Sequence, residues 1–413
     1  MNAINKTRAV PKGFLWGAAI SAHQSEGNNH NSDVWLAEHV SPTVFAEPSG
    51  DACDSYHRYS DDIAAAASLG LNCYRFGIEW ARIEPEPGCF SAAELDRYSR
   101  MVDACLARGL APMLTYNHFS VPRWFAARGG FEVADGADLF ARFAEKATQR
   151  LGDRLAAATT FNEANIQRLI GLLLRQPERQ PAIDAMLAAC ARHCGSERFS
   201  SLLFTEAQKT EAVLVDAHRK AMAAIKAGPG SFPVGVSLSM QDVQGVGEGH
   251  LAEMVIQALY GPWLDEAAKS DFIGVQTYTR VLIGPQGHIP PAPGAELTAA
   301  GYEYYPQALG GTIRLAAART GKPVYVTENG IATADDSRRI AYIDAALAQL
   351  RECLDEGIDV RSYIHWSLLD NFEWVEGYSQ HFGLVEVDFA SFERKPKPSA
   401  YHLDGIARSG RIG

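Results

Sequence analysis

The sequence predicts an α/β protein built as a single closed (β/α)₈ TIM barrel. Three observations carry that expectation. Eight apolar, strand-like runs recur along the chain. Helical stretches that stop at glycine lie between them. The length, 413 residues, suits one catalytic-size barrel domain spanning 1–413, since such barrels run from about 200 to more than 400 residues.

The strand-like runs come in order: FLWGAAIS (14–21), LNCYRFGIEW (71–80), APMLTYNHF (111–119) and AATTFNEAN (157–165). They continue with FPVGVSLSM (232–240), FIGVQTYT (272–279), PVYVTENG (323–330) and VRSYIHWSLLDNF (360–372). Their unbroken apolar character suits strands buried on both faces, as in a parallel sheet. Between them, SDDIAAAASLG reads as a helix opening on a Ser60 cap and stopping at Gly70. SAAELDRYSRMVDACLARG carries Ser91 and Glu94 at capping-box spacing and stops at Gly109. RRIAYIDAALAQLRECLDEG has a helical apolar period and stops at Gly357. Strands alternating with helices favour the closed barrel over an open doubly wound sheet. The latter calls for a phosphate-binding glycine turn after the first strand. GVGEG at 245–249 has neither the spacing nor the expected strand–turn–helix setting.

Composition narrows the partners. The formal net charge of −11 argues against nucleic acid or an anionic membrane surface. The opening stretch MNAINKTRAVPKGFLWG has no apolar core like that of a signal peptide, and no run reaches bilayer length. Seven scattered cysteines, an odd number, fit reduced thiols, so a cytoplasmic location is expected. Cys190, His193 and Cys194 cluster without a second ligand pair and read as packing rather than zinc; no metal is expected.

In a barrel of this kind, chemistry sits at the C-terminal ends of the strands. The runs end in Ser21, His23 and Gln24, in Arg75 and Glu79, in Asn117 and His118, and in Asn162 and Glu163. Later ones end in Gln276 and Tyr278, in Glu328, and in Trp366 followed by Glu373 and Trp374. One such group is unremarkable, and a lone histidine or glutamate there is ordinarily structural. Polar or aromatic groups at seven ends pointing into one mouth select for a site. Two glutamates, on strands four and seven, face each other across such a mouth. Paired carboxylates flanking a cleft suit glycoside hydrolysis, one protonating the leaving oxygen while the other attacks or activates water. Trp366 and Trp374 offer faces for a sugar ring, and Gln24, His118, Asn162 and Glu373 offer hydrogen bonds to its hydroxyls.

The segments GFLWGAAISAHQSEG, YRFGIEWARIEP, TFNEAN, VTENGIA and WSLLDNFEWVEGYSQHFGLVEVDF resemble glycoside hydrolase family 1, over residues 11–402. The resemblance implies a (β/α)₈ barrel, a retaining mechanism and no cofactor. It implies Glu163 as general acid/base and Glu328 as nucleophile. Asn162 is implied at the sugar 2-hydroxyl, with Tyr278 and Arg75 orienting the nucleophile. Gln24, His118, Trp366, Glu373 and Trp374 are implied in the pocket for the non-reducing sugar, and Phe382 near its 6-hydroxyl. Ala164 stands where the family usually has proline, Phe119 where it has tryptophan, and Gln276 where it has asparagine. Phe119 keeps an apolar wall but loses an indole N–H, and Gln276 must fit a longer amide beside the sugar.

Glu373 in a last loop free of Lys and Arg points to neutral rather than 6-phosphorylated sugars. The resemblance then implies small β-glucosides and short oligosaccharides as substrates, with β-galactosidase or β-fucosidase side activity. A transglycosylase using the same intermediate is the alternative, and a non-catalytic sugar-binding protein the remote one. The stretch 166–199 departs most from the family. It is expected to border the leaving group and open the entrance, with LIGLLL (169–174) as a core-facing helix or, failing that, an oligomer contact. The sequence leaves the oligomeric state open.

Overall fold

The computed structural model describes residues 7–174 and 177–413. Its centre is a closed barrel of eight strands. They are β1 (Leu15–Ala19), β2 (Cys73–Gly77), β3 (Ala111–Asn117), β4 (Ala157–Phe161), β5 (Val234–Ser239), β6 (Phe272–Thr277), β7 (Val324–Asn329) and β8 (Val360–Trp366). Each pairs in parallel with the next, and β8 closes on β1 with Ser362 opposite Leu15 and Trp366 opposite Ala19. The closed ring overturns the open-sheet alternative.

Alternation along the strands divides the core in two. Ala19, Cys73, Met113, Ala157, Phe272, Tyr325 and Ile364 fill the barrel interior as one cluster. The opposite face of each strand packs outward against helices, forming the larger cluster with Tyr74, Phe76, Leu114, Val236, Val275 and Val326. Arg75 lies two residues beyond Cys73 on the inward face, so strand periodicity alone carries a guanidinium into the upper barrel.

The helices follow the sequence with corrections. α1 is Ser55–Ser68 and α2 is Ala92–Ala107. The Ser91 side chain accepts from Glu94 N, as the capping box requires. Gly70, Gly109 and Gly357 all take positive φ beyond their helix ends. Ser60 is not a cap: α1 begins five residues earlier, after Asp54, whose carboxylate accepts from His57 and Arg58 in the first turn. GVGEG does have a strand before it (Asp242–Gly245) and a helix after it (Ala252–Ala267). That strand belongs to a three-stranded sheet outside the barrel, with Arg280–Gly284 and Gly287–Ile289. The barrel strands also stop short of several apolar runs. The residues beyond them turn at once into site loops; Glu79, for example, caps the short helix Trp80–Ile83.

Among the described residues no helix is long and apolar enough to cross a membrane. All seven cysteines are free. Cys190 is buried in the core on the helix Gln180–Cys194, in keeping with packing.

Candidate active site

Glu328 is set by a local irregularity in β7. The register with β6 shifts between Val326 and Glu328, and the register with β8 shifts between Val326 and Asn329. Such a bulge re-aims a side chain at a barrel rim. Gly330 follows because β8 passes too close for any side chain: a Cβ there would lie 2.0 Å from the Trp366 carbonyl oxygen. The Glu328 carboxylate is then held from two sides. Arg75 Nη1 donates to Oε1 at 2.6 Å and the Tyr278 hydroxyl donates to Oε2 at 2.6 Å.

Arg75 also reaches strand four. Its Nη2 donates to Asn162 Oδ1 at 2.6 Å, and Gln276 Nε2 donates to the same oxygen at 2.7 Å. One buried guanidinium thus fixes the nucleophile candidate and the asparagine beside the acid/base candidate. Gln276, expected next to the sugar, is fully buried behind the wall and bears on the pocket through Asn162.

Glu163 sits at φ +43°, a left-handed conformation uncommon for a residue with a side chain. Its loop is fastened on both sides. Asn162 N donates to Asn117 O at 2.8 Å, and Ala164 N donates to Ser237 O at 3.0 Å. A proline at 164 has no N–H for the second bond. Asn165 exchanges two further bonds of 2.9 Å with the backbone of Ser239. Strain held by such over-determination is common where a side chain must be presented rather than packed.

The opposite wall is aromatic. His118 stacks on Trp366 (5.5 Å, 25°) and on Trp374 (6.2 Å, 18°). Phe119, at φ +71°, meets Trp374 edge-on at 5.4 Å. Phe382 meets Tyr278 edge-on at 5.9 Å. Gln24 Nε2 donates to Phe372 O at 2.8 Å and to Glu373 Oε2 at 3.0 Å, tying the start of the chain to its last loop. Of the catalytic and sugar-binding residues read from the sequence, all except Arg75 and Gln276 line one cavity of about 1150 Å³, shared by Glu163 and Glu328.

The electrostatics separate the two glutamates. Desolvation, then the nearby Glu328 charge, pushes the Glu163 carboxyl up to about 8, against a bond from Ser239 and the Arg75 charge. Burial also raises Glu328, but Arg75 and the Tyr278 hydroxyl oppose that rise directly. Glu328 therefore ionises first and Glu163 keeps its proton. Burial and then the charges of Glu328 and Glu163 push Glu373 up to about 8 as well. Burial and Arg75 hold His118 well below its ordinary value, leaving a neutral ring that both donates and accepts.

This arrangement can protonate one atom of a bound sugar ether while presenting an anion across the pocket. The sequence model of glycosyl hydrolase family 1 matches residues 6–188 and 267–411. The chain belongs to glycosyl hydrolase family 1. Membership makes it an O-glycosyl hydrolase. Among family 1 relatives, a β-glucosidase A of Thermotoga maritima is 30% identical over 98% of this chain and 99% of its own. A bifunctional β-D-glucosidase/β-D-fucosidase of Bifidobacterium breve is 30% identical over 95% of this chain and 97% of its own. The apo structure of a β-glucosidase designated 1317 superposes with a TM-score of 0.94 at 46% identity, covering 96% of this chain and 99% of that one. A β-glycosidase, BGL167, gives 0.91 at 45%, covering 97% of each.

Sequence reasoning missed two groups of this family 1 pocket. Ser239, at the end of β5, bonds to Glu163. Tyr302 lines the cavity, its hydroxyl pushed up to about 12 by burial and by Glu163 and Glu373. His23, a strand-end group legible in the sequence, lies flat behind Trp374 (5.6 Å, 8°) and pairs with Glu38 at 2.7 Å. The polar end SLSMQ on strand five was the available signal for Ser239. Tyr302 sits on a loop, with no strand-end signature.

The divergent segment needs one correction. Residues Ile166–Leu172 do form a helix, α3. LIGLLL is not core: Leu169 is buried, but Leu172 is 49% and Leu174 44% exposed. The run lines the site cavity instead, because only the Leu169 side of the helix meets the barrel.

Proposed function

We propose that this family 1 enzyme is a retaining β-glucosidase working by double displacement. The carrying observation is the unequal pair: Glu328 gripped by Arg75 and Tyr278, Glu163 facing the same cavity with its proton retained near neutral pH. Glu163 gives that proton to the glycosidic oxygen while Glu328 Oε attacks the anomeric carbon, and the alcohol leaves. The covalent glycosyl-enzyme has no Glu328 charge, so the Glu163 pKa falls. Glu163 then takes a proton from water, whose oxygen attacks the same carbon and releases Glu328.

In this reading Asn162 serves the 2-hydroxyl, Gln24, His118 and Glu373 the other hydroxyls, Trp366 and Trp374 the ring faces, Phe119 an apolar wall, and Phe382 the surroundings of the 6-hydroxyl. The relatives' glucosidase and fucosidase names support a glucosyl preference with fucoside side activity; galactoside side activity belongs to the same reading. The same reading has the enzyme in the cytoplasm and cellobiose among its substrates; seven free cysteines support the former. The test is a panel of nitrophenyl β-glycosides with proton NMR of the first-formed sugar. A β-anomer released first from the β-glucoside is expected. An α-anomer first, or preference for another glycone, overturns the proposal.

A further inference from the structure

The loop that carries Glu373 and Trp374 is held from outside the pocket. Trp374 has φ +50°, a left-handed conformation that a bulky side chain keeps only where its surroundings fix it. The short helix Ala22–Glu26 lies against this loop. Phe372 N donates to the Gln24 carbonyl at 3.2 Å, and the His23 ring runs parallel to the Trp374 indole at 5.6 Å.

His23 is itself tied. Its Nε2 pairs with Glu38 Oε1 at 2.7 Å, and Asn29 Nδ2 lies 3.1 Å from its Nδ1. Both side chains of the His23–Glu38 pair are fully buried. Glu38, on the helix Asp33–His39, turns its other oxygen to Ser49. That oxygen accepts from the Ser49 N–H at 2.9 Å and from its hydroxyl at 2.7 Å. The Ser49 carbonyl accepts from the Tyr378 hydroxyl, and the Tyr378 ring packs on Phe372 at 5.5 Å. The path closes on itself, from Trp374 through His23, Glu38, Ser49 and Tyr378 back to the loop that carries Trp374. His23, Glu38, Ser49 and Tyr378 all lie outside the lining of the cavity.

Burying a carboxylate is costly even when its hydrogen bonds are complete. An apolar pair fills such a space at lower cost. What the polar circuit adds is direction, because hydrogen bonds fix angles that apolar packing leaves loose. Direction matters here: Gln24, Glu373 and Trp374 all face the cavity, and a glucoside differs from its galactoside only in the direction of one hydroxyl. Groups that read such a difference must be held by neighbours whose own positions are locked.

We propose that His23 and Glu38 are positioning residues, which with Ser49 and Tyr378 hold Trp374 and Glu373 in the orientation that separates glucosides from their 4-epimers. This rests on the β-glucosidase reading and adds what sets its choice of sugar. Neither residue touches substrate or moves a proton in the reaction.

The test is the ratio of kcat/KM for nitrophenyl β-glucoside to that for the β-galactoside, with kcat and KM resolved. The ratio reads only folded, active molecules, so a merely structural role leaves it unmoved. Glu38→Ala is expected to narrow it about fivefold or more, with the glucoside KM raised by a larger factor than kcat is lowered. Glu38→Gln keeps an oxygen for Ser49 and an amide hydrogen for His23 Nε2, and is expected to return the ratio to within about twofold of wild type. Tyr378→Phe removes only the hydroxyl on Ser49, at the other end of the circuit. It should narrow the ratio about twofold, and it decides the matter if Glu38→Ala fails to fold. An unchanged ratio in Glu38→Ala or in Tyr378→Phe, or a Glu38→Gln ratio no better than that of Glu38→Ala, overturns the proposal. A wild type that prefers the galactoside overturns the β-glucosidase reading instead, and shows itself before any variant is compared.

Discussion

At the scale of single residues, the unequal glutamates lead to distinct kinetic signatures. Glu328→Ala is expected to reduce turnover to background, and azide to restore it with an α-glycosyl azide product, seen by NMR. Azide rescue of Glu163→Ala with an α product would reverse the assignment. Glu163→Gln is expected to cost about 10²–10⁴ in kcat on alkyl glucosides. The wild-type pH profile should lose activity above pH 8, because the acid form of Glu163 titrates at about 8. Its acidic limb lies above the ordinary carboxylate range, since burial raises Glu328. Arg75→Lys keeps a charge but not the fork to Glu328 and Asn162. That variant should move the acidic limb further up and lower kcat more than it changes KM. Both glutamates were legible as strand-end carboxylates. The Arg75 fork was legible only as a resemblance, because nothing in YRFG says which atoms a guanidinium spans.

At the scale of elements, the site depends on where strands stop and bend. The bulge before Glu328 and the bare Cα of Gly330 let β7 and β8 converge. Gly330→Ala would drive a methyl group into the Trp366 carbonyl at 2.0 Å, so a loss of about 2–4 kcal/mol in unfolding free energy is expected. Activity should fall beyond what unfolding explains, because Trp366 and Glu328 both shift. Denaturant melts and kcat on the same preparation check this. The eight strands and the principal helices were readable from apolar runs and terminal glycines. Their C-terminal limits were not, since the apolar runs continue straight into site segments such as EWARI and NEANI. The α3 leucines were misread for a related reason: an apolar helix of seven residues looks the same whether it covers a core or walls a cavity.

At the scale of the molecule, the mouth is held at a cost in stability. Glu163 and Glu373 are both pushed to about 8 in the folded state, well above their unfolded values near 4.3. A raised carboxyl binds its proton more tightly when folded, so its contribution is present below the unfolded pKa and lost as pH rises through the folded one. The melting temperature should therefore decline between about pH 4.5 and pH 8. Glu163→Gln, which cannot ionise, should flatten that decline and raise the midpoint by a few degrees at pH 8, read by calorimetry. The barrel as a whole was the most legible feature, because alternation of strand and helix extends over the full chain. The opposite end of the molecule has its own use. Arg8–Ala9 pairs antiparallel with Arg411–Ile412, and Arg8 reaches Asp355 just before β8 begins. Both ends of the described chain therefore leave side by side from the face away from the mouth. A bead or fusion partner attached at either one points the pocket toward open solution, and a short peptide can join the two without crossing the route by which substrate arrives.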